Sequence, residues 1–421
     1  GTVTVTPSAA YPYIRPCRSI NFTGFTGTFA MTYGIFLTIG DGTPGAGNVA
    51  FKFSSTMTVT YANGPTIVFA STSATQQTVD FANKSVYSVT FNGAGGSWKF
   101  TGGGTVAGTL TQSAGALDTN GQTLSVANLS ILAGTFNPTT SAITITGTAN
   151  DSVTLAQAAT YTANTAVFTL NGNGGGASAS GVNTNGMSLV LAYTGVSNQI
   201  TGGTWKDITR TGAAIKTAVL QLRDNVTCTG TFAANGNSAT NRVLVQSDVF
   251  GTARTITAAT VSCSNADFRD ITAAGAGSWN LAAITGLSGD CGGNSGITFT
   301  ASAAQTHTTS AGGNWSDATK WTSRVPLPQD DVIVNVNTTG TLTMDMPRAG
   351  RNLTFTGFVG TLAHNSTAIT NYGSLTLSSG MTFTSTQIWY LEGAGTHTLT
   401  SAGKTFGSHV FMSPRVSATY G

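Results

Sequence analysis

Charge is what this sequence has least of. Asp, Glu, Lys and Arg make up only 8% of its 421 residues, about a third of the share in an ordinary soluble domain. Glutamate occurs once, at Glu392. Helices draw propensity and a solvated outer face from Glu, Lys, Leu, Gln and Arg, so helix bundles, coiled coils and doubly wound α/β folds are excluded. The net charge is +3 without a basic cluster, which leaves no electrostatic footprint for nucleic acid. No apolar run approaches the roughly 18–20 residues of a membrane helix, so no membrane insertion is expected. The four cysteines, Cys17, Cys228, Cys263 and Cys291, show no CxxC spacing, and a zinc site is not expected. Isolated buried thiols are the expectation, with a Cys263–Cys291 pair the alternative in an oxidising compartment.

Apolar residues are not lacking. A content of 40% hydrophobic and 9% aromatic exceeds what a solvated, disordered chain carries. The dominant pattern is Thr alternating with an apolar residue, as in Thr2 to Thr6, Thr56 to Thr60, Thr144 to Thr146, Thr341 to Met344, Leu353 to Thr356 and Leu375 to Leu377. Alternation puts the apolar residues on one face and the hydroxyls on the other, and β-branched Thr suits a pleated surface. Gly, Asn and Ser clusters at 171–176 and 292–296 supply the positive φ that tight corners require. Two stretches, Leu155 to Thr160 and Ala213 to Leu222, admit a helical turn; the second is read as a strand.

Many short strands suit a sandwich, a barrel or a solenoid, and repeats decide between them. Trp205-Lys-Asp-Ile-Thr209 and Phe268-Arg-Asp-Ile-Thr272 share one pattern at an offset of 268 − 205 = 63, or three coils of about 21 residues. At a longer offset, 351 − 18 = 333, Arg18-Ser-Ile-Asn-Phe-Thr-Gly-Phe-Thr-Gly-Thr-Phe-Ala30 matches Arg351-Asn-Leu-Thr-Phe-Thr-Gly-Phe-Val-Gly-Thr-Leu-Ala363. With small gaps, Tyr33-Gly34 is aligned with Tyr372-Gly373 and Phe53 to Thr56 with Phe383 to Thr386. Starting at Gly1 and stopping inside the repeat, the chain reads as a processed protein or a piece of a longer tandem array.

The expected fold is all-β, a parallel β-solenoid of short strands and Gly/Asn corners in tandem modules. In that geometry coils stack about 4.8 Å apart and like residues form ladders, so stacked charges would repel while Thr columns do not. The expected organisation is a solenoid module at 1–303, a linker at 304–312 and the opening of a second module at 313–421. At that opening, Trp315 and Trp321 are expected to cover the open end of the stack, Pro326 and Pro328 to stop strand extension, and Asp330 and Asp331 to hold turn amides.

The string Gly312-Gly-Asn-Trp-Ser316, with Trp321, Val325-Pro326 and Asp330-Asp-Val332, resembles the opening of the eight-glycine β-helix domains of secreted and surface proteins. Together with 264–272 and 289–299 it also resembles repetitive structural proteins of tailed and environmental bacteriophages, closely over the second half of the chain and in style over the first. The resemblance implies a virion fibre, tail or decoration component, with a bacterial surface filament or adhesin close behind. It implies a virion-surface or extracellular location, with neighbouring modules of the same fibre and host surface glycans as partners, and it leaves a homo-oligomer open. The first module lacks its own Gly-Asn-Trp-Ser opening.

A polysaccharide-degrading, tailspike-like enzyme is the competing class, and it needs two carboxyls about 5–9.5 Å apart, one with a raised pKa. The adjacent acids are Asp330 and Asp331, inside the proposed opening. Asp267 and Asp270, with the echo Asp207, recur with the repeat and read as turn or ladder residues, and Glu392, beside a Gly turn, is expected to be solvated. His307, His364, His397 and His409 are dispersed, with neither HExxH nor a Ser/His/Asp context. Tyr11, Tyr13, Trp98, Trp205, Trp279 and Trp389 are sugar-stacking candidates, with burial or capping the favoured reading of each. The expectation is a non-enzymatic protein with no catalytic, cofactor-binding or metal residues.

Overall fold

The computed structural model describes residues 1–5, 13–32, 34–40, 43–62, 64–335, 337–364, 367–413 and 416–420. Strands take 47% of the chain and helix 2%, so the architecture is all-β. The paired strands run parallel in stacked coils, and one isolated antiparallel bridge joins His307 to Trp321. The chain forms two compact units: Gly1–Tyr193, Ser197–Arg210 and Asp224–Thr231 in the first, and Thr194–Val196, Thr211–Arg223 and Phe232–Gly421 in the second.

In the first unit the opening coils are three-sided. One side stacks Thr2–Val5, Thr28–Met31 and Thr58–Tyr61. The next stacks Tyr13–Cys17, Phe36–Ile39, Thr66–Phe69 and Ser88–Phe91. The third runs over seven strands from Ile20–Asn21 to Ala159–Tyr161. Alternation decides what goes inside: in Thr66–Phe69, Ile67 and Phe69 are buried while Thr66 and Val68 face outward. The register then builds an apolar column, Leu37, Ile67, Val89, Leu110, Leu129 and Val153. Each such side chain contributes about 1.5–3 kcal/mol on burial. Phe69 and Phe91 stack one coil apart, with ring centroids 4.8 Å apart and an interplanar angle of 11°.

The second unit begins with coils of the same kind, pairing Val219–Leu222 with Val243–Ser247, that strand with Ala266–Arg269, and that with Ser288–Asp290. New sheets start at Gln305–Thr306, within the segment expected as a linker. One holds six strands from Gln305–Thr306 to Val416–Tyr420, one holds Gly312–Asn314, Thr341–Met344, Thr361–His364 and Thr382–Thr384, and one holds Arg348–Gly350, Ile369–Asn371, Trp389–Leu391 and Val410–Met412. They enclose a separate core that includes Trp315, Trp321, Phe355, Phe358 and Trp389.

The 333-residue repeat is a structural repeat. Phe25 donates its amide to the Phe22 carbonyl at 2.9 Å, and Phe358 donates to Phe355 at 3.0 Å. Gly24 and Gly357 hold φ of +79° and +77° at these turns. A Cβ on Gly27 would lie 2.6 Å from the Phe25 ring, and one on Gly360 would lie 2.7 Å from the Phe358 ring. Beyond Ala30 the aligned letters part from the coils. Gly34 precedes strand Phe36–Ile39, whereas Gly373 follows Ile369–Asn371; Phe53 follows Val49–Lys52, whereas Phe383 lies inside Thr382–Thr384. The two copies differ after strands Phe36–Ile39 and Ile369–Asn371: the first has the 3-10 turn Ala46–Asn48 before Val49–Lys52, whereas the second reaches Leu375–Thr376 through 372–374. Tyr33 lies outside the described residues, as does Thr6.

Neither stretch with helical potential forms helix. Leu155 ends strand Val153–Leu155 and residues 159–161 form Ala159–Tyr161, while Val219–Leu222 is a strand preceded by a turn.

Candidate functional site

Outward positions of a solenoid strand ordinarily carry Thr. In the second unit the register lines up Val219, Leu244, Asp267 and Gly289 in one such column. Val243, Leu244 and Val245 are buried together, as are Ala266, Asp267 and Phe268, so both faces of these strands are covered. The cover is the second module, whose own column runs Arg348, Thr370, Tyr390 and Phe411.

A buried charge network joins the two faces. Asp267 is fully buried and accepts from Arg242 Nε at 2.8 Å and 3.0 Å and from Arg348 Nε at 2.5 Å. Arg348 Nη2 also donates to the Arg242 carbonyl at 2.9 Å, and Arg242 Nη1 to the Ala239 carbonyl at 2.7 Å. Burial pushes the Asp267 carboxyl up, but the two guanidiniums outweigh it and hold it below the usual carboxylate range. The same pairing holds Arg348 above its ordinary value despite burial. Burial raises both Tyr372 and Cys291, which share a hydrogen bond beside the network.

Two further pairs flank it. Arg269 Nη1 donates to Glu392 Oε1 at 3.2 Å and Oε2 at 3.0 Å, and Lys216 Nζ lies 2.5 Å from Asp345 Oδ2. The amide of Ser316 donates to Asp345 Oδ1 at 2.9 Å. Between the facing columns lies a cleft of about 500 Å³, lined by Val219, Leu244, Arg269, Arg348, Tyr390 and Glu392 together with Thr217 and Thr370.

The opening string of the second module acts as a joint. The Trp315 and Trp321 rings lie 4.7 Å apart inside the core, Trp315 Nε1 donating to the Ala349 carbonyl and Trp321 Nε1 to that of Trp315. Gln329 grips the last coil of the first module, accepting from the Asp290 amide at 2.9 Å and donating to the Ser288 and Thr300 carbonyls. Asp330 accepts from the amides of Ala303 and Leu327 and from Arg324, and Asp331 pairs with Arg351.

The acids considered from sequence are held by separate hydrogen-bond and ion-pair partners. Asp207 accepts from the Thr231 amide and Ser188, and Asp270 from the Gly251 amide. Both stand at turns between short strands. Glu392 departs from expectation: it is 14% exposed and paired with Arg269, because the neighbouring module covers it. Trp98, Trp205, Trp279 and Trp389 are buried; Tyr11 and the Tyr13 side chain lie outside the described residues. His307 bonds Thr338 and packs against Trp321, His364 bonds Ser385, and His409 stacks on Phe411. His397 is half-buried. None of the four cysteines is in a disulfide, Cys228, Cys263 and Cys291 are buried, and burial pushes the Cys263 thiol up to about 12. Among the described residues no three His, Cys, Asp or Glu side chains converge as a metal site requires.

Sequence reasoning missed Arg242, Arg269, Arg348 and Tyr390. The available signal was Val243-Leu-Val245, an apolar run where the pattern elsewhere alternates. Compared with protein families, curated proteins and solved structures, the chain matches none.

Proposed function

We propose that the chain is a non-enzymatic structural and adhesive β-solenoid protein, part of a fibre or tail component built from tandem modules and displayed on a phage particle. The observation that carries this reading is the Asp267–Arg348 contact, a desolvated joint between one module and the next copy of its opening turn. Coils bury their cores by stacking, so stability adds along the array and extension needs no new fold. Thr columns in place of charges let coils repeat without like-charge repulsion.

The electrostatics favour a scaffold over a glycan depolymerase. A glycosidase's general acid needs a raised pKa, whereas Asp267, Asp331 and Asp345 are all held low by hydrogen-bonded cations. Neighbouring modules are the first partners of such a protein and host surface glycans the second. A bacterial surface filament of the same construction is the nearest alternative.

Electron microscopy of the native assembly, labelled with antibody against 313–421, tests the reading. The expected image is label on fibres projecting from a virion. Label on a cell-surface filament would move the protein to the bacterial alternative, and label on an isolated globular particle would overturn both.

A further inference from the structure

The cleft in the second unit has a composition that selects its occupant. Its apolar lining is Val196, Val219, Leu244, Pro347 and Ala368 together with the Tyr390 ring. That ring is fixed in orientation by stacking on Phe411, with centroids 5.6 Å apart and planes 19° apart. Thr217, Thr370 and Tyr390 bring hydroxyls that make no hydrogen bond within the described residues. The charges at the cleft are matched, Arg269 by Glu392 and Arg348 by Asp267.

These features exclude most ligand classes. A phosphate or a carboxylate needs a cation without a partner, and both guanidiniums here already hold carboxylates. A lipid chain would leave the hydroxyls and the Arg269–Glu392 pair facing hydrocarbon without compensation. An uncharged ring with one apolar face and a rim of hydroxyls satisfies every wall at once. Its C–H face packs on Tyr390 or on Val219 and Leu244, and its hydroxyls donate to Glu392 and accept from Arg269 and the threonines. The volume, about 500 Å³, falls within the roughly 300–1,000 Å³ of small-molecule sites.

We infer that this cleft binds a neutral pyranose saccharide, one or two rings long, through Tyr390, Thr217, Thr370 and the Arg269–Glu392 pair. The inference rests on the adhesive reading above and names the site of contact.

Saturation-transfer NMR on the full chain with cellobiose, maltose and lactose tests it, with glucuronic acid and glucose 6-phosphate as charged probes. The expected result is transfer from at least one neutral disaccharide, weakened at least tenfold by Tyr390→Ala and by the near-isosteric Thr370→Val, which removes a hydroxyl without opening the fold. Thr90→Val, on a strand of the first unit, is expected to change nothing. Absence of transfer from all three disaccharides, undiminished transfer in both cleft variants, or stronger transfer from either charged probe would overturn the site. Any of those outcomes leaves the fibre reading intact, because microscopy of the assembly tests it separately.

Discussion

Asp267, on the first module's last coils, meets Arg348, from the second module's opening coil, at 2.5 Å with both side chains almost wholly out of solvent. Arg242 occupies the other side of the same carboxylate. One anion therefore serves two buried cations, and that ratio sets what each substitution does.

Removing the anion strands both guanidiniums, whereas removing Arg348 leaves a neutral Arg242–Asp267 pair. Asp267→Leu is expected to destabilise the second unit by about 3–5 kcal/mol, the usual range for breaking a buried pair from one side, and Arg348→Leu by clearly less. Urea unfolding followed by tryptophan fluorescence measures both. Equal losses, or the reverse order, would contradict the charge accounting. Because the Asp267 pKa is depressed in the fold, its contribution is fully present above the unfolded value of about 3.9 and is lost as pH falls through the lower folded value.

Fold class was legible because Thr alternation is a local signal that survives in any single strand. Gly24-Phe25 and Gly357-Phe358 were legible too, since a positive-φ turn and the ring beside it sit within a few residues. The joint was not. Asp267 and Arg348 lie 81 residues apart, and nothing in either neighbourhood names the other. What could be read was that Leu244 occupies an outward position without being polar, a sign of cover without the identity of the cover. The same blindness put Glu392 in solvent, since a Gly turn is exposed only when nothing packs on it.

The repeat makes a paired prediction about glycine. A Cβ at Gly360 would lie 2.3 Å from the Gly340 carbonyl as well as 2.7 Å from the Phe358 ring, and backbone cannot move aside as a side-chain tip can. At Gly403 nothing lies within 4 Å, though φ is +77°. Gly360→Ala is therefore expected to lower stability by at least about 2 kcal/mol, in the range of overpacking, and Gly403→Ala by about 1 kcal/mol, the cost of a left-handed non-glycine residue. Thermal unfolding of the two variants decides it; a smaller effect at Gly360 than at Gly403 would mean the coils have slack that the structure denies.

His364 gives the second unit a pH response of its own. Burial pulls its imidazole down to about 4, while the unfolded chain protonates near 6.5. Between those values the unfolded state takes up the proton and the folded state does not, so stability is expected to fall as pH drops from about 6.5 towards 4. His364→Gln, which keeps a polar partner for Ser385, should flatten part of that slope. His307 is lowered in the same sense and sustains the remainder. An unchanged slope in the variant would show that His364 is protonated in the folded protein.

The thiols report on whether the coils are closed. Cys263 and Cys291 are buried and unpaired, and burial raises both, which removes the thiolate that alkylating reagents attack. Iodoacetamide at pH 8 is expected to leave both unmodified in the native protein and to label both after unfolding, with Cys17, half-exposed, reacting first. Intact mass under non-reducing conditions should show no disulfide. A mass lower by one disulfide, or rapid labelling of Cys291 in the folded chain, would mean that the second module does not cover the coil beneath Tyr372. The joint through Asp267 would then be open in solution.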